Sequence, residues 1–178
     1  MTHTGFLDHL RIASGPLAEV ALAIRHRPGA LVFEDETGRQ TDLDMRGTED
    51  EIRARHTVPA RGPGRPKLGV TAREVTLLPR HWDWLSDQLG GASVALRKLV
   101  ETASHEPSAA RNAARDAAYR FASALGGNQA GFEEAMRMLY AGKRKKFHRQ
   151  LESWPPDVRV YLEKLAAPAF GSNDEPDG

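Results

Sequence analysis

The chain has 178 residues, 25 of them Lys or Arg and 24 Asp or Glu, giving a formal net charge of +1 and a pI near 8.1. No apolar run approaches the roughly 18 residues a membrane helix needs, and residues 1–15 lack the basic and apolar regions of a secretory signal. Cysteine is absent, which excludes disulfides, thiolate nucleophiles and cysteine-ligated zinc, so the expectation is a cytoplasmic protein of one domain or two small ones.

Residues 6–13 read as a short strand. In residues 16–27, Leu17, Val20, Ala21 and Ile24 recur at helical spacing behind Pro16, which suits a first turn. Residues 30–33 and 41–45 resemble the arms of a β-hairpin turned at Gly38. Residues 1–58 are therefore expected to form a small β-α-β-β unit, and its 7 basic and 10 acidic side chains make it net negative. The acids at 34–36, 42, 44 and 49–51 fall on the hairpin and the loop after it. They lack the D-x-D-x-D-G order of a calcium loop and read as a solvated surface.

Residues 59–72 differ in kind. Arg61, Arg65 and Lys67 alternate with Pro59, Gly62, Pro63, Gly64, Pro66 and Gly69, and residues 60–73 contain no acid. Such a stretch cannot form a helix or a central strand, so its cations ride on an extended basic arm. Residues 73–78 then read as a strand stopped by Pro79, and 80–89 as a helix with Trp82, Leu85 and Leu89 on one face. Trp84 lies off that face and is expected at an interface. Gly90-Gly91 ends the helix, and Ser93 is placed to cap a second one carrying Leu96, Leu99, Val100 and Ala103. These two helices and their strand make a unit at 73–104.

A further helix opens at 106–108 and runs to Leu125, with Ala114, Ala118, Phe121 and Leu125 as its apolar face. Helices over 128–141, 143–153 and 155–167 follow, giving a helical subdomain at 105–170. Within it, residues 143–149 hold five cations and no acid, either a solvated face or an extension of a nucleic-acid footprint. The tail, 171–178, has three acids and no base and reads as disordered. The fold class is α+β, mostly helical: a β-α-β-β unit, a basic linker arm, a strand-helix-helix unit and a C-terminal helical subdomain.

The order of parts from Pro59 to Ala103 resembles an arm followed by a ribbon-helix-helix DNA-binding unit. That resemblance implies two chains pairing their single strands into an antiparallel ribbon that lies in the major groove. Pleating points Val75 and Leu77 into the dimer core and Glu74, Thr76 and Leu78 outward. Thr76 suits a base contact, whereas Glu74 and Leu78 stand where polar or basic side chains are usual. The stretch LLPRHWDWL is also about one residue shorter than that pattern. Gly64-Arg65-Pro66 resembles an AT-hook core, whose Arg lies in the narrow minor groove of A·T-rich DNA. Over its whole length the chain is similar to a bacterial family known as domain of unknown function 2239, on the segments IASGPLAEVA, LVFEDETGRQTDLDMRG, GRPKLGVTAREVTLLPRHWDWL, GGASVALRKLVE and GNQAGFEEAMRMLYAG.

Catalytic signatures are missing. No Ser lies in G-x-S-x-G or S-x-x-K, no Walker loop or G-x-G-x-x-G occurs, and the seven His form no H-x-x-x-H, H-x-H or H-E-x-x-H spacing. The expectation is therefore a binding protein without cofactor, metal or membrane partner: a homodimer on double-stranded DNA, A·T-rich by preference. Arg61, Arg65 and Lys67 are assigned to the minor groove, Thr76 and Arg73 to the major groove. Ser93 with its neighbouring amides is assigned to a phosphate, and Arg80, Arg97 and Lys98 to further backbone contacts. The alternative is a protein-interaction or assembly module that binds no nucleic acid.

Overall fold

In the computed structural model, which describes residues 1–57, 69 and 71–171, Asp8 stands at φ 52. A short side chain that can bond locally tolerates this left-handed conformation, and it turns the chain into a tight hairpin. The hairpin joins β1 (His3–Leu7) to β2 (Leu10–Gly15), with Leu7 opposite Leu10. The single strand expected over 6–13 is therefore two strands, broken at Asp8-His9. A bulge between Gly5 and Phe6 shifts the register of this pair. β3 (Leu31–Glu34) pairs antiparallel with the other edge of β1, giving the sheet order β2-β1-β3.

Alternation along these strands divides the apolar residues between two layers. On one face, α1 (Leu17–Ile24) lays Val20 and Ile24 over Gly5 and Val32, with Leu43 and Met45 packed at the margin. This explains why 41–45 is not the second arm of a hairpin. Glu34 N–H bonds Arg39 O and Thr41 N–H bonds Val32 O, so the turn closes, but Leu43 and Met45 then leave the sheet plane to reach the α1 layer. The expected β-α-β-β order is thus β-β-α-β. Residues 49–56, expected as loop, form α2 (Glu49–His56). Its N-terminus is a reciprocal capping box: Thr48 N–H donates to Glu51 at 2.7 Å and Glu51 N–H to Thr48 Oγ1 at 3.3 Å. Ile52 is its buried anchor, and Arg53 pairs with Glu19 of α1.

The other sheet face carries Phe6 and Phe33 into the main core, built by α5 (Pro107–Leu125), α6 (Phe132–Tyr140), α7 (Arg144–Gln150) and α8 (Pro156–Ala166). Phe121 of α5 stacks edge-on to Phe33 at 5.0 Å and to Tyr161 of α8 at 4.6 Å, and Phe6 meets both Phe121 and Tyr161 at 5.3 Å. The N-terminal sheet and the C-terminal helices therefore share one core. Residues 1–58 and 110–178 form one compact unit, and 59–109 a second. The second unit contains α3 (Pro79–Ser86) and α4 (Gly91–Ser104). No described helix is long and apolar enough to cross a membrane.

Asp35, just past β3, ties the sheet to α8. Its carboxylate accepts from Thr4 at 2.7 Å, Thr2 at 2.9 Å and the Tyr161 hydroxyl at 2.9 Å, with Lys164 Nζ at 3.1 Å. Burial pushes this carboxyl up, but the four donors outweigh it and hold it below the usual carboxylate range. Burial, then the Asp35 carboxylate, pushes the Tyr161 phenol up, so it stays a donor.

Two predictions follow from this packing. A folded-state pKa below the unfolded value of about 3.9 means that Asp35 stabilises the fold above that pH, and that this stability is lost as pH falls through the lowered folded value. Asp35→Asn is thus expected to cost roughly 2 kcal/mol at neutral pH in urea unfolding, with a shallower acid limb than the parent. Equal acid limbs would remove Asp35 from the account. Gly38 stands at φ 62, where a Cβ would lie 2.1 Å from the Ala117 carbonyl oxygen. Gly38→Ala is expected to lose roughly 3 kcal/mol, from left-handed strain plus overpacking, read as a lowered urea midpoint.

Candidate nucleic-acid interface

Residues 71–78 of the second unit form no ladder, so the strand expected at 73–78 is not formed within this chain. A strand needs a neighbouring strand to pair with, and none lies beside this segment among the described residues. Pro79 then opens α3 at its first position. Gly90 (φ 90) and Gly91 (φ 73) turn the chain into α4, which starts at Gly91, so Ser93 lies inside the first turn and caps nothing. Its carbonyl instead accepts from Arg97 Nε at 3.1 Å.

Packing within this unit is thin. Leu85 and Ala95 are its only buried apolar residues among those described, whereas Val75, Leu78, Trp82, Trp84, Leu89, Leu99 and Val100 are 40 to 95% exposed. Trp82, expected on the core face of its helix, is one of the exposed set. Leu77, His81, Trp84, Leu85, Leu96 and Leu99 line an apolar groove of about 240 Å³ between the helices. Contiguous apolar surface of this kind marks an interaction site.

The expected contact residues divide as follows. Arg61, Arg65 and Lys67 lie outside the described residues. Arg73, Thr76, Arg80, Ser93, Arg97 and Lys98 are all exposed. Among the described residues Arg73, Arg80 and Lys98 have no ion-pair partner, and only Ser93 and Arg97 are brought into contact.

A second basic surface, for which the sequence left a solvated face and an extended nucleic-acid footprint as alternatives, stands on α7. Phe147 and Leu151 are fully buried and fix this helix to the core, while the His148 ring meets the Glu163 carboxylate at 2.9 Å. Lys143, Arg144, Lys145 and Arg149 are exposed, with no salt bridge or side-chain hydrogen bond among the described residues. Elsewhere in the same unit Arg25 pairs with Glu49, Arg46 and Arg55 with Asp44, Arg53 with Glu19, Arg120 with Asp116, Arg137 with Glu134 and Lys164 with Asp35, while Arg11, Arg27, Arg39, Arg111, Arg115 and Arg159 have no ion pair among the described residues. The α7 arrangement is also locally unfavourable. Lys145 and Arg149 are like charges at i,i+4, costing about 0.2–0.5 kcal/mol. Its first turn holds cations and no acid at the positive end of the helix dipole.

Arg115 of α5 adjoins this run. Its Nη2 lies 4.0 Å from where a Cβ at Gly142 would stand, its Nη1 donates to Asn112 at 3.2 Å, and its Nε is buried without a partner. Tyr140, whose hydroxyl donates to Asp116 at 3.3 Å, is pushed up in pKa by burial and then by that carboxylate. The acid-free run marked this surface in the sequence, whereas the approach of Arg115 to it did not show there.

Remaining candidates are weaker. A cavity of about 490 Å³ past α1 is walled by Ile24, Arg25, Arg27, Leu31, Asp42 and Leu43, but Arg25 is already held by Gly47 O at 2.9 Å and by Glu49 at 3.4 Å. Among the described residues no three His, Asp or Glu gather as metal ligands would.

Tryptophan accessibility tests the open face of the second unit. Trp154 is 3% exposed and its Nε1 donates to Ala130 O at 3.0 Å, so a collisional quencher should reach Trp82 and Trp84 and spare Trp154. Pairing through this face should lower the quenchable fraction as protein concentration rises. Two quenchable tryptophans at every concentration would mean that the face stays open.

No curated protein and no solved structure matches the chain. A family model does match, over residues 2–166, and so runs through both units and through the basic arm and α7 alike. The resemblance carried by the sequence segments holds: the chain belongs to the bacterial family described as an uncharacterized protein conserved in bacteria, DUF2239.

Proposed function

We propose that this protein is a DNA-binding homodimer of the cytoplasm, a regulator or architectural factor rather than an enzyme, acting through residues 59–104. One observation carries the dimer: among the described residues, two helices and the segment before them leave seven large apolar side chains open around a single buried leucine. A unit of that size cannot offset its conformational entropy with so little burial, and a second copy supplies both a ribbon partner for 73–78 and cover for the face. The charge supports DNA as the ligand. Residues 59–103 carry 7 basic and 4 acidic side chains, three of the cations on the Gly-Pro arm that leads into the ribbon. Arg65 serves the minor groove, Thr76 and Arg73 the major groove, and Arg80, Arg97 and Lys98 the phosphates.

A second reading keeps the dimer and drops the DNA. Glu74 and Leu78 are exposed on the segment that would face the groove, and a carboxylate there repels phosphate. In that reading the apolar face serves assembly alone.

Binding to labelled A·T-rich and G·C-rich duplexes, titrated across salt, separates the two. The DNA reading expects submicromolar binding at low salt, with log K falling by about 0.9 per phosphate contacted. Arg65→Ala should weaken A·T-rich sites more than G·C-rich ones. Lys98→Ala should weaken all sequences alike and lower the salt slope by about 1. Val75→Asp, at an exposed position outside the groove, should convert dimer to monomer in sedimentation while sparing the fold. No binding at about 50 mM salt, where phosphate contacts are strong, would leave assembly as the function.

A further inference from the structure

We infer that α7 and Arg115 form a second contact surface for the phosphate backbone of duplex DNA, on the unit that does not carry the ribbon. The inference rests on the DNA-binding reading above and adds a site to it. Three observations converge. Lys143, Arg144, Lys145 and Arg149 are exposed cations without an acid partner among the described residues, gathered within one acid-free run, whereas Arg25, Arg46, Arg53, Arg55, Arg120, Arg137 and Lys164 of the same unit are ion-paired. Their placement, with a like-charged i,i+4 pair and cations at the positive end of a helix, opposes local stability, so nothing internal to the fold selects it. Arg115, from a different helix, brings its Nη2 beside Gly142 at the start of the same run.

The reach fits the ligand. Lys145 and Arg149 lie opposite the buried Phe147 and Leu151 and so project from the unit, and residues 143–149 span about 9 Å along a helix axis. A DNA strand advances about 3.4 Å per phosphate, so three phosphates pass within that length. An anionic membrane is the other polyanion of suitable charge, but a helix that lies on lipid buries an exposed apolar face. The apolar side chains of α7 are the core anchors Phe147 and Leu151, neither of which is exposed.

The test uses the full-length protein with Lys143, Arg144, Lys145 and Arg149 all changed to Gln, beside Lys98→Ala as the ribbon-unit control. The probes are a labelled duplex of about 20 base pairs and vesicles containing phosphatidylserine. The quadruple variant should lose roughly tenfold or more in duplex affinity at low salt and lower the salt slope by about 2 to 3, additively with Lys98→Ala. Its thermal midpoint should be unchanged or higher, since the substitutions relieve repulsion. The exchange Lys145→Arg with Arg149→Lys should retain full binding, because phosphate contact here reads charge. Parental affinity in the quadruple variant, with a deficit in Lys98→Ala, would overturn this inference and leave the ribbon reading standing. Absence of duplex binding by the parent would overturn both. Loss confined to vesicle binding would overturn the inference in favour of lipid.

Discussion

The buried meeting of Tyr161 with Asp35 is the contact on which the larger unit depends. Residues more than a hundred positions apart are joined there twice, by a hydrogen bond of 2.9 Å and by the aromatic cluster in which the Tyr161 ring packs against Phe6 and Phe121. The two bonds are complementary. Aromatic burial supplies a large nondirectional gain, and the charge-assisted hydrogen bonds to Asp35 set which orientation of sheet and helix is accepted. A small sheet depends on covered apolar faces for its stability. Closing its second face with α5 and α8 turns the two ends of the chain into one body, so residues 59–109 are a unit spliced into it rather than the middle of a row of three.

The two units answer the need to bury apolar surface differently. The first is closed, with Phe6, Phe33, Phe121, Phe147 and Leu162 all at zero exposure. The second exposes most of what it has. Its helices are amphipathic and regular, but Leu85 is the only large side chain among its described residues to find a full set of neighbours. In the proposed dimer, an antiparallel ribbon from a second copy would pair residues 73–78 and cover the open face in one step, since a two-fold axis pairs the same segment with itself. That economy favours a second copy over an unrelated partner as the occupant of the face.

Much of the fold was legible in the sequence because its signals were local. Proline at 79, 107 and 156 and glycine at 90, 91, 131 and 142 bracket helices that the spacing of apolar residues already outlined. The misreadings have physical causes. Thr48-x-x-Glu51 is a capping box visible in the sequence, yet the acids around it drew a reading of solvated loop. Leu43 and Met45 alternate as a strand does, but α1 claims them through tertiary packing that no local pattern encodes. Asp8 broke a strand because a single left-handed residue suffices for a hairpin turn. Union of the two ends through Phe6, Phe121 and Tyr161 was illegible for the same reason, since long-range contact leaves no trace in spacing. The site is legible in its charges and not in its geometry: a basic run announces itself, while the approach of Arg115 to Gly142 needs the fold.

Charge placement links the two cationic surfaces. Arg25, Arg46, Arg120 and Arg137 each sit beside an opposite charge. A cluster left unmatched at a helix start keeps its field available to an outside anion. Duplex DNA carries a charge about every 1.7 Å of its axis, so under the proposed function two basic clusters on one chain would engage it without a register between them. Each surface alone would be weak and salt-sensitive. Joined by a continuous chain, the second binding event becomes intramolecular, and its gain comes from effective concentration rather than from any new contact. A dimer doubles the number of such surfaces. Under the proposed function, a reading face blunted by Glu74 and Leu78 would not have to supply the affinity: the arm and α7 would hold the duplex while Thr76 and Arg65 distinguish its sequence.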